Sequence, residues 1–210
     1  MIIIFDLDYT LFDTAKFKRD GLALFFNMNE AGFKDYYKKN FKDRGINYSP
    51  KKHLRALGWS HKEMAVKLNE FDDWLEKEIS RYLFPGAEQI LKRFRQAGHK
   101  IILASFGDKG FQEQKISALK INGISAKKFF DEVIISDKIK ADSEELKRFR
   151  GENILLVDDN LKEAVGLKEI LGDKCEIFLI DGPYARSGED NITPRSLKDL
   201  AEKFFPDSSQ

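Results

Sequence analysis

The apolar run Ile2 to Phe5 ends in two acids one residue apart, Asp6 and Asp8, and a second apolar run, "NILLVDD", ends in Asp158 and Asp159. One carboxylate at a strand end can cap the helix that follows; a second beside it adds only repulsion. Acids repeated at the ends of two runs therefore imply that a cation belongs among them. Oxygen-only ligands in small number suit Mg²⁺, which keeps waters and accepts phosphate as a co-ligand. Ser105 closes another run, "KIILAS", while Lys138 and Lys140 follow "DEVIIS". Phosphoryl transfer needs a nucleophile, hydrogen-bond donors and neutralising charge, and carboxylate, hydroxyl and ammonium supply them. In that chemistry Asp6 attacks phosphorus, and Asp8 protonates the leaving oxygen and then activates water. Ser105 holds a phosphoryl oxygen, Lys140 neutralises charge and keeps Asp6 ionised, and Asp159 ligates the metal.

Positioning these groups requires a sheet whose strands all end on one side. With "CEIFLID" (Cys175 to Asp181) there are five short runs rich in Ile, Leu and Val. Unbroken apolar runs suit strands buried on both faces of a parallel sheet. Between them, "AEQILKRFRQAGHK" carries Ile90, Leu91 and Phe94 at helical spacing and stops at Gly98, and "SEELKRFRG" and "LKEAVGLKEILGD" read as further crossover helices. The pattern predicts an α/β protein with a three-layer, Rossmann-like parallel-sheet core, in which ligands sit beyond the carboxyl ends of the strands. From Asp13 to about Leu83 the texture changes to Phe, Tyr, Lys and Asn, with helical periodicity and no strand. The predicted organisation is a core of residues 1–13 and 84–210 carrying a helical insertion, 14–83, that returns at the Pro85-Gly86 turn. The tail "PDSSQ" is expected to fray.

Composition bounds the partners. The chain has 210 residues, 42% hydrophobic and 34% charged, with a net charge of +1 and interspersed signs, so no sequence-wide field favours nucleic acid or an anionic membrane. The lone Cys175 forms no internal disulfide and reads as a small core residue, and the first apolar run is too short to span a bilayer. A reducing cytoplasm is the expected compartment, and a monomer or homodimer the expected state. His53, His61 and His99 show no ligand spacing and are taken as structural. Lys16, Lys18 and Arg19 read as a solvated helix face, although they could meet an anionic substrate. Phe25, Phe26, Phe33, Tyr36 and Tyr37 are expected to form the insertion's own core, and "DGPYARSGEDN" an ordinary connection.

Taken in order, these motifs resemble those of the haloacid dehalogenase-like (HAD) hydrolase superfamily. "FDLDYTLFD" resembles its first motif, "ILASFGD" its second, the lysine segment "FDEVIISDKIKADSEELKRF" its third and "LLVDDN" its acidic fourth; an insertion after the first motif matches members with a helical type-1 cap. The resemblance implies Asp6 as nucleophile and Asp8 as acid/base. It implies Mg²⁺ on Asp6, the Asp8 backbone carbonyl and Asp159, with Asp158 supporting the ion's water. Thr10, Ser105, Phe106 and Lys140 complete the substrate contacts. Two departures stand out: Lys140 is followed by Ala141 where the family often has Pro, and the interval from lysine to "LLVDDN" is short, so one crossover is trimmed. Lys140 is preferred to Lys138 because "KADSEELKRF" then aligns with the helix after the motif.

Each residue also has a plainer reading: an N-cap acid for Asp6 or Asp8, a strand-end hydroxyl for Ser105, solvated lysines for Lys138 and Lys140. "ILLVDDN" also resembles the first strand of a response-regulator receiver domain, but too little chain follows it for that sheet. Within the superfamily, dehalogenating members lack an acid at the Asp8 position and need no metal, and transport ATPases carry Thr there. The expected activity is Mg²⁺-dependent hydrolysis of a small phosphorylated metabolite through an aspartyl-phosphate. A phosphomutase shares every residue named, and a non-catalytic binding protein on the same fold is the alternative from another class.

Overall fold

The computed structural model describes residues 1–186 and 192–206. Residues 187–191 of the "DGPYARSGEDN" loop and 207–210 of the tail lie outside that description. The chain divides into two compact units. The first comprises Met1–Asp13, Leu83–Phe106 and the chain from Lys127 onward; the second comprises Thr14–Tyr82 together with Gly107–Ala126.

The first unit is built on a five-stranded parallel sheet of β1 (Ile2–Phe5), β2 (Lys100–Phe106), β5 (Glu132–Ser136), β6 (Ile154–Asp158) and β7 (Cys175–Leu179), in the order β5-β2-β1-β6-β7. All five predicted runs are strands, and β1, which carries the first acids, lies at the centre. Register aligns Phe5 with Leu103 of β2 and Val157 of β6. Alternation makes the layers. On one face Ile4, Ile102 and Leu156 pack with Ala164, Leu167 and Leu171 of the helix Leu161–Leu171, and Cys175 is buried in the same cluster. On the other, Phe5 meets Phe94 of the helix Ala87–Gln96 edge to face at 6.0 Å, and Phe94 in turn meets Phe204. The result is a three-layer α/β core of Rossmann-like form.

Gly98 and Gly172 end these helices with φ of +75° and +96°, the left-handed backbone glycine adopts without penalty. "SEELKRFRG" supplies only a four-residue helix, Glu144–Lys147, preceded by the 3₁₀ turn Lys140–Asp142, so the crossover to β6 is indeed trimmed. Among the described residues no helix is long and apolar enough to cross a membrane.

The second unit is helical apart from a small antiparallel hairpin, β3 (Lys120–Ile121) and β4 (Ile124–Ser125). Its longest helix, His61–Glu78, starts at a capping box in which Ser60 and Glu63 satisfy each other's backbone N–H. Phe33 is buried and Phe25, Phe26, Tyr36 and Tyr37 join the same aromatic packing. At its centre lies His53, fully buried, stacked on Phe26 at 4.0 Å and with the Tyr48 hydroxyl 3.3 Å from Nδ1. Burial lowers its pKa from 6.5 to about 4, and Nε2 has no partner among the described residues. Of the other histidines, His61 is exposed and His99 packs beside Phe94.

A pH prediction follows from His53. The unfolded chain binds a proton there below about 6.5 and the folded chain only below about 4, so stability is full above 6.5 and declines as pH falls between these values. The expected loss is on the order of 2–3 kcal/mol. Urea unfolding monitored from pH 7 to pH 4 should show it, and His53→Phe should flatten the dependence; an unchanged slope in that variant would exclude His53 as its source.

Candidate active site

β1 and β6 deliver the acids side by side because they are neighbours in register. The Asp6 N–H donates to the Val157 carbonyl at 2.9 Å, which carries the pairing one residue past β1 and sets Asp6 beside Asp158. After Asp6 the backbone closes a compact loop, with Leu11 and Phe12 N–H both donating to the Leu7 carbonyl and Tyr9 N–H donating to Phe12. Tyr9 takes φ +63°, an uncommon conformation for a non-glycine residue, beside the half-buried Asp8. Phe84 N–H donates to the Leu11 carbonyl, so the chain's return is stitched to the same loop.

Lys140 reaches this cluster from the 3₁₀ turn beyond β5. Its ammonium donates to Asp6 Oδ1 at 2.7 Å and to Asp158 Oδ2 at 2.6 Å, and all three side chains are buried. Burial alone would lower the lysine's pKa, but Asp158, Asp6 and Glu163 raise it and keep the ammonium charged. Lys138 instead is exposed, so the structure brings Lys140 and not Lys138 to the acids. The other Asp158 oxygen accepts from Asn160 N–H at 2.9 Å, and Asn160 caps the helix Leu161–Leu171.

Asp159 forms no ion pair among the described residues. It is 3% exposed and its Oδ2 has no hydrogen-bond partner among the described residues. Burial, and then Asp6 and Asp158, push its pKa up to about 8; burial likewise raises Asp6 to about 7 against the opposing effect of Lys140. Asp6, Asp158 and Asp159 each offer an oxygen within 4.8 Å of the others. Three buried carboxylates served by one ammonium leave excess negative charge in a desolvated site, and that is the fit expected of a divalent-cation centre. Two buried hydroxyls, Thr10 Oγ1 and Ser105 Oγ, also lack partners among the described residues, while Phe106 ends β2 half-buried. Buried hydroxyls without partners are costly unless a ligand supplies them.

Two residues that the motifs did not bring forward belong to the site. Glu163, four residues after Asp159, accepts a bond from the Lys140 backbone N–H and so fixes the turn that carries the lysine. Its place three residues after the capping Asn160 was the available signal. Gly182, in the connection after β7, lies so close to Asp159 that an added Cβ would sit 2.7 Å from Oδ2 and 2.8 Å from Cβ. No spacing rule reveals that contact, because it depends on tertiary packing. Gly182→Ala is expected to displace the Asp159 carboxylate and weaken divalent-cation binding by about tenfold or more, read by titration calorimetry. Unchanged affinity would place the ion away from Asp159. Of the basic residues near the start of the second unit, Arg19 is paired with Asp20 and Lys18 lies 4.2 Å from the centre of the Tyr37 ring.

With this geometry in hand, the comparisons decide the family. Residues 3–163, more than half the chain, match the haloacid dehalogenase-like hydrolases. The chain belongs to that family. A haloacid dehalogenase-like hydrolase from Burkholderia xenovorans LB400 has a similar fold, with 21% identity and a TM-score of 0.67 over 96% of this chain and 94% of that one. The HAD-hydrolase YfnB from Bacillus subtilis, bound to magnesium, gives 16%, 0.63, 97% and 98% for the same quantities. CbbY from Rhodobacter sphaeroides, in complex with phosphate, gives 17%, 0.60, 95% and 95%. At these identities the likeness is one of fold. A comparison with curated proteins found no match. The haloacid dehalogenase-like motifs thus lie on one rim of the sheet, with Asp6, Lys140, Asp158 and Asp159 in one buried group.

Proposed function

We propose that this member of the family is a Mg²⁺-dependent phosphatase acting on a small phosphomonoester. The observation that carries the reading is the charge imbalance at the sheet rim: Lys140 bridges Asp6 and Asp158, and Asp159 lies buried beside them with no ion-paired side chain among the described residues. A dehalogenase, which the family's name also brings to mind, needs a nucleophilic carboxylate but no metal and no second acid. Asp8 and the acid trio favour phosphate chemistry. The magnesium and the phosphate of the two structural neighbours are in keeping with it.

In this mechanism an Asp6 carboxylate oxygen attacks phosphorus, and the bond from phosphorus to the leaving oxygen breaks. Asp8 gives that oxygen its proton, and the released alcohol departs. Asp8, now a carboxylate, takes a proton from water whose oxygen attacks phosphorus; the bond to Asp6 breaks and inorganic phosphate leaves. Lys140 keeps Asp6 ionised, and the hydroxyls of Thr10 and Ser105 are donors for phosphoryl oxygens. Mg²⁺ held by Asp6, Asp159 and the Asp8 carbonyl, with Asp158 in support, would neutralise phosphoryl charge. A phosphomutase would use the same groups with a second substrate in place of water.

The test is hydrolysis of an aryl phosphate and a panel of phosphorylated metabolites at fixed Mg²⁺. Activity that appears with Mg²⁺ and disappears with chelator supports the proposal. Chelator-insensitive release of halide from a 2-haloacid, with no phosphatase activity, would replace it by the dehalogenase. We further propose that the protein acts in the cytoplasm, as a monomer or homodimer.

A further inference from the structure

The second unit holds a cavity of about 410 Å³ that the chemistry above does not use. That volume falls within the range of small-molecule sites, about 300–1,000 Å³. Three cationic side chains line it, Lys51, Lys52 and Arg55, all from the helix Pro50–Ala56. Lys52 is committed: its ammonium pairs with Asp108 Oδ2 at 2.8 Å and donates to the Asn47 carbonyl at 3.0 Å. Asp108 is committed too, since its Oδ1 caps the helix Lys109–Ala118 by accepting from Phe111 N–H. Asp72, the other acid of the lining, accepts a bond from Gln114. The side chains of Lys51 and Arg55 have no ion-pair or hydrogen-bond partner among the described residues. Pro50, Leu68 and Phe111 supply apolar wall.

We propose that this cavity binds a small organic anion, a carboxylate or phosphate group on an apolar body. Arg55 and Lys51 take the anionic group, the guanidinium offering a planar fork to paired oxygens and the ammonium a point charge. The Lys52–Asp108 pair holds the opposite side in place, and Leu68 and Phe111 cover the apolar body. The site stands independently of the role assigned to Asp6. Its ligand is a small molecule of that chemistry.

The experiment is calorimetric titration of the protein in EDTA with phthalate and with phenyl phosphate. Without metal the acids at the sheet rim repel anions, so the titration reads this cavity. Saturable binding of at least one probe is expected, weakened about tenfold by Arg55→Ala and by Lys51→Ala, partly regained in Arg55→Lys, and unaltered by Asp6→Asn. Both positions are exposed, and thermal melts of the variants check that the fold is kept. No saturable binding by either probe, or equal affinity in the wild type and in both alanine variants, would overturn the proposal.

Discussion

Asp6→Asn is expected to reduce turnover by about 10⁴-fold or more, because an amide cannot form the covalent intermediate. The same change should leave the metal-free protein as stable as the wild type, or more stable. Burial already raises the Asp6 carboxyl to about 7, so a neutral isostere removes a charge that the fold accommodates at a cost. Lost activity with retained stability is the signature of a chemical role. Turnover measured with an aryl phosphate, alongside a thermal melt, reads both. Substantial residual activity would show that the carboxylate is not the nucleophile.

Lys140→Met should have the opposite balance, with both properties failing. Removing the ammonium leaves Asp6 and Asp158 buried against each other and Asp159, and breaking a buried pair from one side costs about 3–5 kcal/mol. In a protein of this size that corresponds to a fall in Tm on the order of 10 °C. Added Mg²⁺ should recover part of it, since the ion supplies the missing positive charge, whereas turnover should stay low. Lys138→Met should change neither quantity, because that side chain is exposed and forms no ion pair with the acids. Equal effects from the two substitutions would undo the assignment of the lysine.

How much of this was readable in advance depends on which physical signal carried it. The strands were legible because a parallel sheet buried on both faces demands unbroken apolar runs, and all five runs are strands. The acids were legible for a related reason: a charge terminating such a run has to be explained, and Asp6, Asp158 and Asp159 do come together. The choice of Lys140 over Lys138 rested on alignment with a helix, and the structure supplies its physical basis in the two bonds from the ammonium. The hairpin of β3 and β4 was missed although its signal is present. Asn122-Gly123 takes φ of +49° and +74° between apolar residues, the pattern of a tight two-residue hairpin turn. The segment Gly107–Ala126, read as part of the core by position, has its contacts in the second unit. Local periodicity cannot show which body a helix packs on. Gly182 was hidden for the same reason, since it meets Asp159 only through the folded loop.

In the proposed mechanism Asp6 carries the phosphoryl group. This role is tested most directly by quenching the enzyme in acid during turnover of its phosphorylated substrate, reducing with borohydride and mapping the peptides. Reduction of an acyl phosphate converts aspartate to homoserine, so homoserine at position 6, dependent on substrate and Mg²⁺, is the predicted result. Steady turnover with aspartate intact at position 6, or homoserine at another position, would contradict it.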